Sequence, residues 1–217
     1  MHILTLNSAL RGCSAAIVRD DQVVVEREQL IDRSQATILP IMVEVMFGEA
    51  APIELDLIAA TVGPGSFTGI RAALALAHGI GLAVGAPVVG VTVGEALAEA
   101  LPHLGRRQLW SAIDSLRGLV FLERNGSALG VAPDHLPLPD GPVAIAGDAA
   151  TEVAARLAAR DVDVMLTNAK LPQPRHIAMA ARRRHLGRLP PRAPQPLYAD
   201  PPATRSPAST LRPPPLP

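Results

Sequence analysis

The chain has 217 residues, 20 basic and 20 acidic side chains, and a composition that is 48% hydrophobic but only 2% aromatic. This length is enough for one large apolar core or two small ones. The single cysteine, Cys13, excludes an internal disulfide framework and favours a reducing, cytoplasmic compartment. We expect no secretory signal and no membrane span, because the longest charge-poor stretch, residues 72–91, is interrupted by His78, Pro87 and several glycines.

The first hundred residues predict the element order β-β-β-α-β-α-β-α. The first helix has Ser34 or Thr37 as its N-cap, and Pro40 falls near its first turn, where a missing N–H costs least. The last helix opens with a capping box formed by Thr92 and Glu95. The predicted strands are residues 3–6, 14–18, 22–28, 57–62 and 88–91, and the predicted helices are residues 34–47, 70–84 and 93–104.

A break at residues 102–107 separates this part from a second one. Its first two strands form a probable hairpin pair, and the tight-turn pair Asn125-Gly126 and a proline-rich link at residues 131–142 follow. Two similar halves indicate a duplicated α/β design. After Pro190 the periodicity vanishes, so we expect residues 201–217 to be a disordered, proline-rich tail. The predicted strands are residues 109–113, 119–124, 143–146 and 162–166, and the predicted helices are residues 151–160 and 176–186.

The most informative motif runs from residue 63 to residue 71, between a buried-type strand and a helix rich in small residues. A strand that breaks into a Gly-Pro-Gly turn and restarts as a helix points backbone N–H groups outward, so the loop could cradle a phosphate or could be a rigid structural turn. It is not a P-loop, because no lysine follows Gly69, and not a nucleophile elbow, because Pro64 occupies the first glycine position. The candidate loop residues are Gly63, Pro64, Gly65, Ser66, Phe67, Thr68, Gly69 and Arg71.

This motif, the Leu57–Ala59 segment before it and the Val88–Thr92 segment after it resemble the bacterial TsaB (YeaZ) family. Residues 112–117 resemble the Asp-Ala-Arg strand end in the second half of that family. Residues 195–198 resemble its closing Pro-x-Tyr segment. The resemblance covers roughly residues 1–200.

The resemblance implies an α/β fold of two ribonuclease-H-like halves with mixed sheets, as in actin, Hsp70 and sugar kinases. We expect an N-terminal half at residues 1–105 that carries partner-binding helices and a smaller C-terminal half at residues 106–200. The resemblance also implies a non-catalytic partner of the TsaD-type enzyme, which transfers threonylcarbamoyl to adenosine 37 of tRNA in a complex with an ATPase subunit. A homodimer is an alternative for the free chain.

One departure from the family argues against catalysis by this chain. The first strand of the family ends in an aspartate, whereas this chain has Asn7, which lacks the negative charge that a hard cation prefers. The helix at residues 34–47 contains no histidine, although the catalytic paralogue resembles a metalloprotein with a His-x-x-x-His pair there. We expect no catalytic residue, no metal and no cofactor of its own. A nucleotide at the subunit junction stays an open alternative.

The helices at residues 34–47 and 70–84 lack a polar face, and exposed apolar patches of that size mark interfaces. Ala73, Ala77 and Gly81 recur every fourth residue and form a smooth stripe where a partner helix can approach. The alternative is that the second half of the chain covers both helices. The candidate interface residues are Ile38, Leu39, Met42, Met46, Ala73, Leu74, Ala77, His78 and Gly81.

The C-terminal end supports a second hypothesis. Residues 170–217 carry nine basic side chains and one acid, Asp200, a distribution that suits an anionic partner or a solvated helix face. The tRNA-facing candidates are Arg182, Arg183, Arg184 and Arg188. The near absence of aromatic residues argues against an autonomous single-strand binder. A third hypothesis, a vestigial glycoprotease or kinase-like enzyme, needs an acid at position 7 or metal ligands on the first helix, and the sequence has neither.

Overall fold

The computed structural model describes residues 1–30, 35–50 and 53–199. Its first five strands are β1 (His2–Asn7), β2 (Cys13–Arg19), β3 (Gln22–Gln29), β4 (Leu57–Gly63) and β5 (Val88–Thr92). They form one mixed sheet in the order β3-β2-β1-β4-β5. The first three strands are antiparallel neighbours, and β4 and β5 run parallel to β1. All seven residues of β4 are buried, as expected for a central strand covered on both faces.

The last five strands repeat this plan in a second mixed sheet. They are β6 (Gln108–Asp114), β7 (Val120–Arg124), β8 (Ser127–Val131), β9 (Val143–Ala146) and β10 (Val164–Leu166). The order β8-β7-β6-β9-β10 matches the first sheet strand for strand, with an antiparallel meander followed by two parallel strands. The duplicated α/β design predicted from the sequence is confirmed.

Five helices in the described residues cover the sheets. They are α1 (Gln35–Glu49), α2 (Phe67–Val84), α3 (Val93–Glu99), α4 (Ala150–Ala158) and α5 (Pro174–His185). On β1, Leu4 and Leu6 face the core beneath α1 and α2, whereas Ile3 faces the core that α5 closes with Ile177. The last helix of the chain therefore returns to the first sheet. The domain boundaries at residues 105 and 200 stay a prediction.

The start of α1 differs from its prediction. The helix begins at Gln35, so Thr37 lies inside it and is not its N-cap, and Ser34 lies outside the described residues. Pro40 also lies inside the helix, beyond the first turn. The ring replaces one backbone N–H there and removes an intrahelical hydrogen bond.

Two further local predictions need correction. The capping box of Thr92 and Glu95 is confirmed, but α3 ends at Glu99 instead of near residue 104. The residue before Pro102 is disfavoured in the helical region, which explains the early end. Strand β8 was not predicted, because its small residues carry a weak strand signal. The tail at residues 201–217 lies outside the described residues.

A buried polar cluster joins the two halves at the start of α3. The carboxylate of Glu123 on β7 accepts a hydrogen bond from the Gly94 N–H at 2.7 Å. Glycine at position 94 allows this close approach, because a Cβ there would lie 2.7 Å from the carboxyl carbon of Glu123 and would displace that side chain. Glu95 accepts a hydrogen bond from Arg184 of α5 at 3.1 Å and lies 3.6 Å from Nε of Arg192. Both halves and the chain beyond α5 meet at this cluster.

The two carboxyl groups of the cluster have pKa values shifted in opposite directions, because only Glu95 has an arginine as hydrogen-bond donor. Burial raises the pKa of Glu123 to about 7, although hydrogen bonds from Thr92 and Gly94 oppose the shift. Burial also acts to raise the pKa of Glu95, but hydrogen bonds from Arg184 and the Thr92 N–H outweigh it and hold that pKa below its usual range. Glu95 is therefore an ionised partner for arginine, whereas Glu123 takes up a proton near neutral pH.

We expect Glu123→Gln to remove a pH dependence of stability. The pKa of Glu123 is about 7 in the folded chain against an ordinary 4.5, so the folded state binds the proton more tightly. The free energy of unfolding should therefore fall as pH rises from 4.5 to about 7, by roughly 3 kcal/mol from this group.

Urea unfolding between pH 4.5 and 8 measures this slope. Glu123→Gln should match the wild type at the acid end and be more stable at pH 8, because its neutral amide oxygen can still accept from Gly94. The control Glu44→Gln removes an exposed carboxylate and should keep the wild-type slope. If the free energy of unfolding changed with pH in the same way for the wild type and Glu123→Gln, the raised pKa of Glu123 would be wrong.

Candidate partner-binding surface

The loop at residues 63–71 packs on the backbone that follows β1. The Ser66 N–H donates to the Ala9 carbonyl at 2.6 Å, and the Gly69 N–H donates to the Ser66 hydroxyl oxygen at 3.2 Å. A Cβ at Gly69 would lie 1.9 Å from the Ser8 carbonyl oxygen. Two N–H groups at the start of α2 are thus satisfied inside the chain, which favours a structural turn over a phosphate cradle.

The polar groups at the end of β1 are also engaged by contacts within the chain. The side-chain oxygen of Asn7 accepts hydrogen bonds from the Thr61 hydroxyl at 2.8 Å and the Ala9 N–H at 3.2 Å. Arg11, in the loop after β1, lies 3.8 Å from Asp114 at the end of β6, in the second half. The described residues contain no group of three or more His, Cys, Asp or Glu side chains that could hold a metal ion.

Most of the predicted interface residues face the sheet of this chain. Seven are buried: Leu39, Met42, Met46, Ala73, Leu74, Ala77 and Gly81. Ile38 is half-buried and His78 is exposed. A Cβ at Gly81 would lie 2.7 Å from the Val88 side chain, so the small-residue stripe brings α2 close to its own sheet. The seven buried side chains are not available to a partner, and the candidate surface moves to the outer side of both helices.

The outer side of the two helices is apolar and exposed. Leu82 on α2 is 89% exposed, and Ile41 and Val45 on α1 are 55% and 46% exposed. The two helices are in contact, and we call these exposed side chains, with the exposed Ala75 and Gly79, the α1/α2 face. The period of the helix could have indicated this surface, because its residues on α2 lie on the side opposite the small-residue stripe. Exposed apolar patches are typical of interaction sites.

Length and composition alone would allow α2 to cross a membrane. Its 18 residues have a mean hydropathy of 1.5, and it is the single helix of this kind in the described part of the chain. A core helix passes the same test, and the buried side of α2 packs on the first sheet. The sequence prediction of no membrane span rested on the interrupted stretch at residues 72–91, whereas the apolar helix itself is continuous.

The chain beyond α5 runs along the flank of α2. The Leu197 N–H donates to the Val62 carbonyl at the end of β4 at 2.7 Å, and the imidazole Nε2 of His78 lies 3.2 Å from the Pro194 carbonyl oxygen. The Gly130 N–H donates to the Ala199 carbonyl at 3.0 Å. We call residues 192–199 the C-terminal segment. It links the first sheet to β8 and borders the α1/α2 face.

The candidate tRNA-facing arginines are mostly paired inside the chain. The ion pairs are Arg182–Asp21 at 3.0 Å, Arg183–Glu99 at 2.5 Å and Arg184–Glu95. Arg184 is buried, so it is a structural residue and tRNA cannot contact it. Arg188 is exposed, and no ion pair forms on it within the described residues.

Two sheets with one strand order define the class of protein: two ribonuclease-H-like halves of the actin, Hsp70 and sugar-kinase type. YeaZ from Pseudomonas aeruginosa superposes with a TM-score of 0.71 at 24% identity, over 91% of this chain and 99% of that one. A ROK family protein from Streptococcus pneumoniae gives a TM-score of 0.52 at 9% identity, over 87% of this chain and 100% of that one. At these identities the likeness shows the fold alone.

Sequence comparison identifies the family to which the chain belongs. The model of TsaD, tRNA N6-adenosine threonylcarbamoyltransferase, matches residues 29–127. The Escherichia coli K12 protein named tRNA threonylcarbamoyladenosine biosynthesis protein TsaB is 29% identical over 123 residues, 56% of this chain and 53% of that protein. An uncharacterized Mycobacterium tuberculosis protein is 34% identical over 160 residues, 67% of this chain and 71% of that protein. The chain belongs to the TsaB (YeaZ) family, and it spans little more than half the length of the TsaB relatives from E. coli and Buchnera aphidicola, 53% and 58%.

We expect two glycine-to-alanine changes on α2 to act in opposite directions. Gly69→Ala should destabilise the fold by more than about 2 kcal/mol, because its Cβ meets a backbone carbonyl that cannot move freely. The matched control Gly79→Ala has nothing within 4 Å of its new Cβ and should be neutral or up to about 1 kcal/mol more stable. Urea denaturation of the three proteins checks this. Equal stability of Gly69→Ala and wild type would show that the loop contact is loose.

Proposed function

We propose that this chain is a non-catalytic partner subunit of a TsaD-type threonylcarbamoyltransferase and takes part in t6A biosynthesis on tRNA adenosine 37. The observation that carries the proposal is the α1/α2 face, an exposed apolar surface on two neighbouring helices. Relatives of this chain bear the name tRNA threonylcarbamoyladenosine biosynthesis protein TsaB. A scaffold subunit needs such a surface and needs no reacting groups.

The match to the family model of the transferase supports pairing with that enzyme. It covers residues 29–127, which include α1 and α2. Two proteins that carry the same pair of helices can pack them against each other around an approximate two-fold axis, as the subunits of a homodimer do. That contact would cover the α1/α2 face. A second copy of this chain can cover it in the free protein.

The contacts of the polar side chains in and after β1 support a role without catalysis. Asn7 is committed to Thr61 and to the local backbone, and Arg11 pairs with Asp114. The two hydrogen bonds to Asn7 engage the side-chain oxygen that a hard cation would otherwise take as a ligand. The proposal further places the chain in the cytoplasm, with an ATPase subunit as third member and with tRNA bound through the assembled complex. A nucleotide, if one takes part, lies at the subunit junction.

The alternatives have less support. For direct tRNA binding, three of the four candidate arginines already form ion pairs with acids of this chain. A kinase-like or peptidase-like activity lacks the acid at position 7, where the side-chain oxygen of Asn7 accepts hydrogen bonds from Thr61 and the Ala9 N–H. Neither alternative explains an apolar surface on α1 and α2.

We expect Leu82→Glu to weaken binding to the TsaD-type paralogue of the same organism by at least about tenfold, because a charge would be buried in the contact. Size-exclusion chromatography with light scattering, followed by calorimetric titration, measures the complex. Leu82 is 89% exposed, so the isolated variant should melt like the wild type. The matched control is Leu138→Glu, because Leu138 is 55% exposed and lies in the second half, between β8 and β9. Undiminished binding by Leu82→Glu would remove the α1/α2 face from the interface.

A further inference from the structure

An arginine and two aromatic rings form a cluster at the N-terminal end of α2. The guanidinium carbon of Arg71 lies 3.9 Å from the ring centroid of Phe67 and 5.7 Å from that of Tyr198. The two rings stack with their centroids 5.5 Å apart, and Nε of Arg71 donates to the Tyr198 hydroxyl at 2.9 Å. The whole chain has one tyrosine and three phenylalanines, and two of these four rings are about half exposed around one arginine.

The fold holds this cluster in place from two sides. Phe67 and Arg71 are one turn apart on α2, so their side chains meet on the helix surface. Tyr198 comes from the C-terminal segment, which the Leu197 N–H anchors to the Val62 carbonyl at 2.7 Å. The ring contact and the Nε hydrogen bond immobilise a side chain that is otherwise flexible. Little rotamer entropy is then lost when the guanidinium binds another group.

The guanidinium of Arg71 has no acidic partner within the described residues. Within those residues Nε of Arg71 donates to the Tyr198 hydroxyl, and the two Nη atoms of Arg71 have no acceptor. The contrast with α5 is clear, because Arg182, Arg183 and Arg184 each pair with a carboxylate. A guanidinium group that is rigid, exposed and without an acidic partner is suited to a bidentate contact with an oxyanion.

We propose that Phe67, Arg71 and Tyr198 form a hot spot that binds an aspartate or glutamate side chain of the protein partner on the α1/α2 face. Arg71 lies on the same outer side of α2 as Ala75 and Leu82, so one partner element can cover all three. Arginine and tyrosine are among the residue types enriched at the hot spots of protein interfaces. The rings exclude water around the ion pair and thereby strengthen it.

The surroundings favour a carboxylate of a protein over a phosphate of RNA. Next along the outer side of α2 come Ala75 and Leu82, whereas RNA binding needs several basic groups along the backbone. The two rings stack on each other, which leaves no gap between them for a base. An apolar surface with one fixed positive charge matches an apolar helix that carries one acid.

This inference rests on the proposed function, because it assigns a contact within the proposed interface. The test is calorimetric titration of the full chain with the TsaD-type paralogue at low and high NaCl. Arg71→Met keeps an unbranched apolar stem and removes the charge, and it should weaken binding by about 30-fold or more and flatten the salt dependence.

Tyr198→Phe removes only the hydroxyl that holds Nε of Arg71 and should give a smaller loss of affinity, about threefold to tenfold. Arg71→Lys keeps the positive charge but lacks the planar guanidinium that binds a carboxylate through two hydrogen bonds, so it should not restore wild-type affinity.

The control Arg188→Met removes an exposed arginine elsewhere and should bind like the wild type. Wild-type affinity of both Arg71→Met and Tyr198→Phe, while Leu82→Glu fails to bind, would overturn the hot spot and leave the proposed function standing. Absence of binding by the wild type would overturn both. If Arg71→Met impaired only self-association, or only tRNA binding by this chain alone, the occupant would be a second copy or RNA, and the proposal would be wrong.

Discussion

The close contact between the backbone of residues 63–69 and the backbone that follows β1 governs the arrangement of the first half. Gly69 lies so near the Ser8 carbonyl that no side chain fits between them, and the Ser66 N–H is bonded to Ala9. This contact fixes where α2 starts and which way its residues point. It turns the small-residue stripe toward the sheet and leaves Leu82 outside. Since the contact also engages N–H groups at the start of α2, it favours a scaffold over a phosphate site.

The junction between the halves follows the same principle of satisfying polar groups internally. Enzymes of hinged folds close their domains around a ligand, and that movement requires an interface that can open. Here Glu123 is buried against the N-terminus of α3, and Glu95 joins Arg184 and Arg192 from α5 and the C-terminal segment. Opening this junction would break the hydrogen bond from the Gly94 N–H to Glu123 and the packing of α3 on β6, which favours a closed junction. A rigid junction suits a subunit that presents a fixed surface.

The sequence predicted the order of elements well, because strand runs, the Thr92–Glu95 capping box and the Gly-Pro-Gly turn are local signals. It misplaced the exposed side of α2, because a stripe of small residues permits close approach to a partner helix and to the chain's own sheet equally. It also overestimated the free positive charge of α5. The acids that neutralise Arg182 and Arg183 are 161 and 84 positions away along the chain, and only the fold brings them near. Long-range pairing of this kind leaves no local pattern.

An apolar surface cannot by itself select a partner. Hydrophobic burial is non-directional, and a second copy of this chain presents the same helix pair as a paralogue built on the same fold. Selecting the paralogue requires a polar group whose match differs between the two competitors. Arg71 meets this requirement, because it is rigid, unpaired within the described residues and placed at one end of the apolar surface. A partner with an acid at the matching end gains an ion pair, whereas a competitor without one leaves a charge desolvated and unpaired. The apolar residues then supply most of the affinity, and the arginine supplies register and choice of partner.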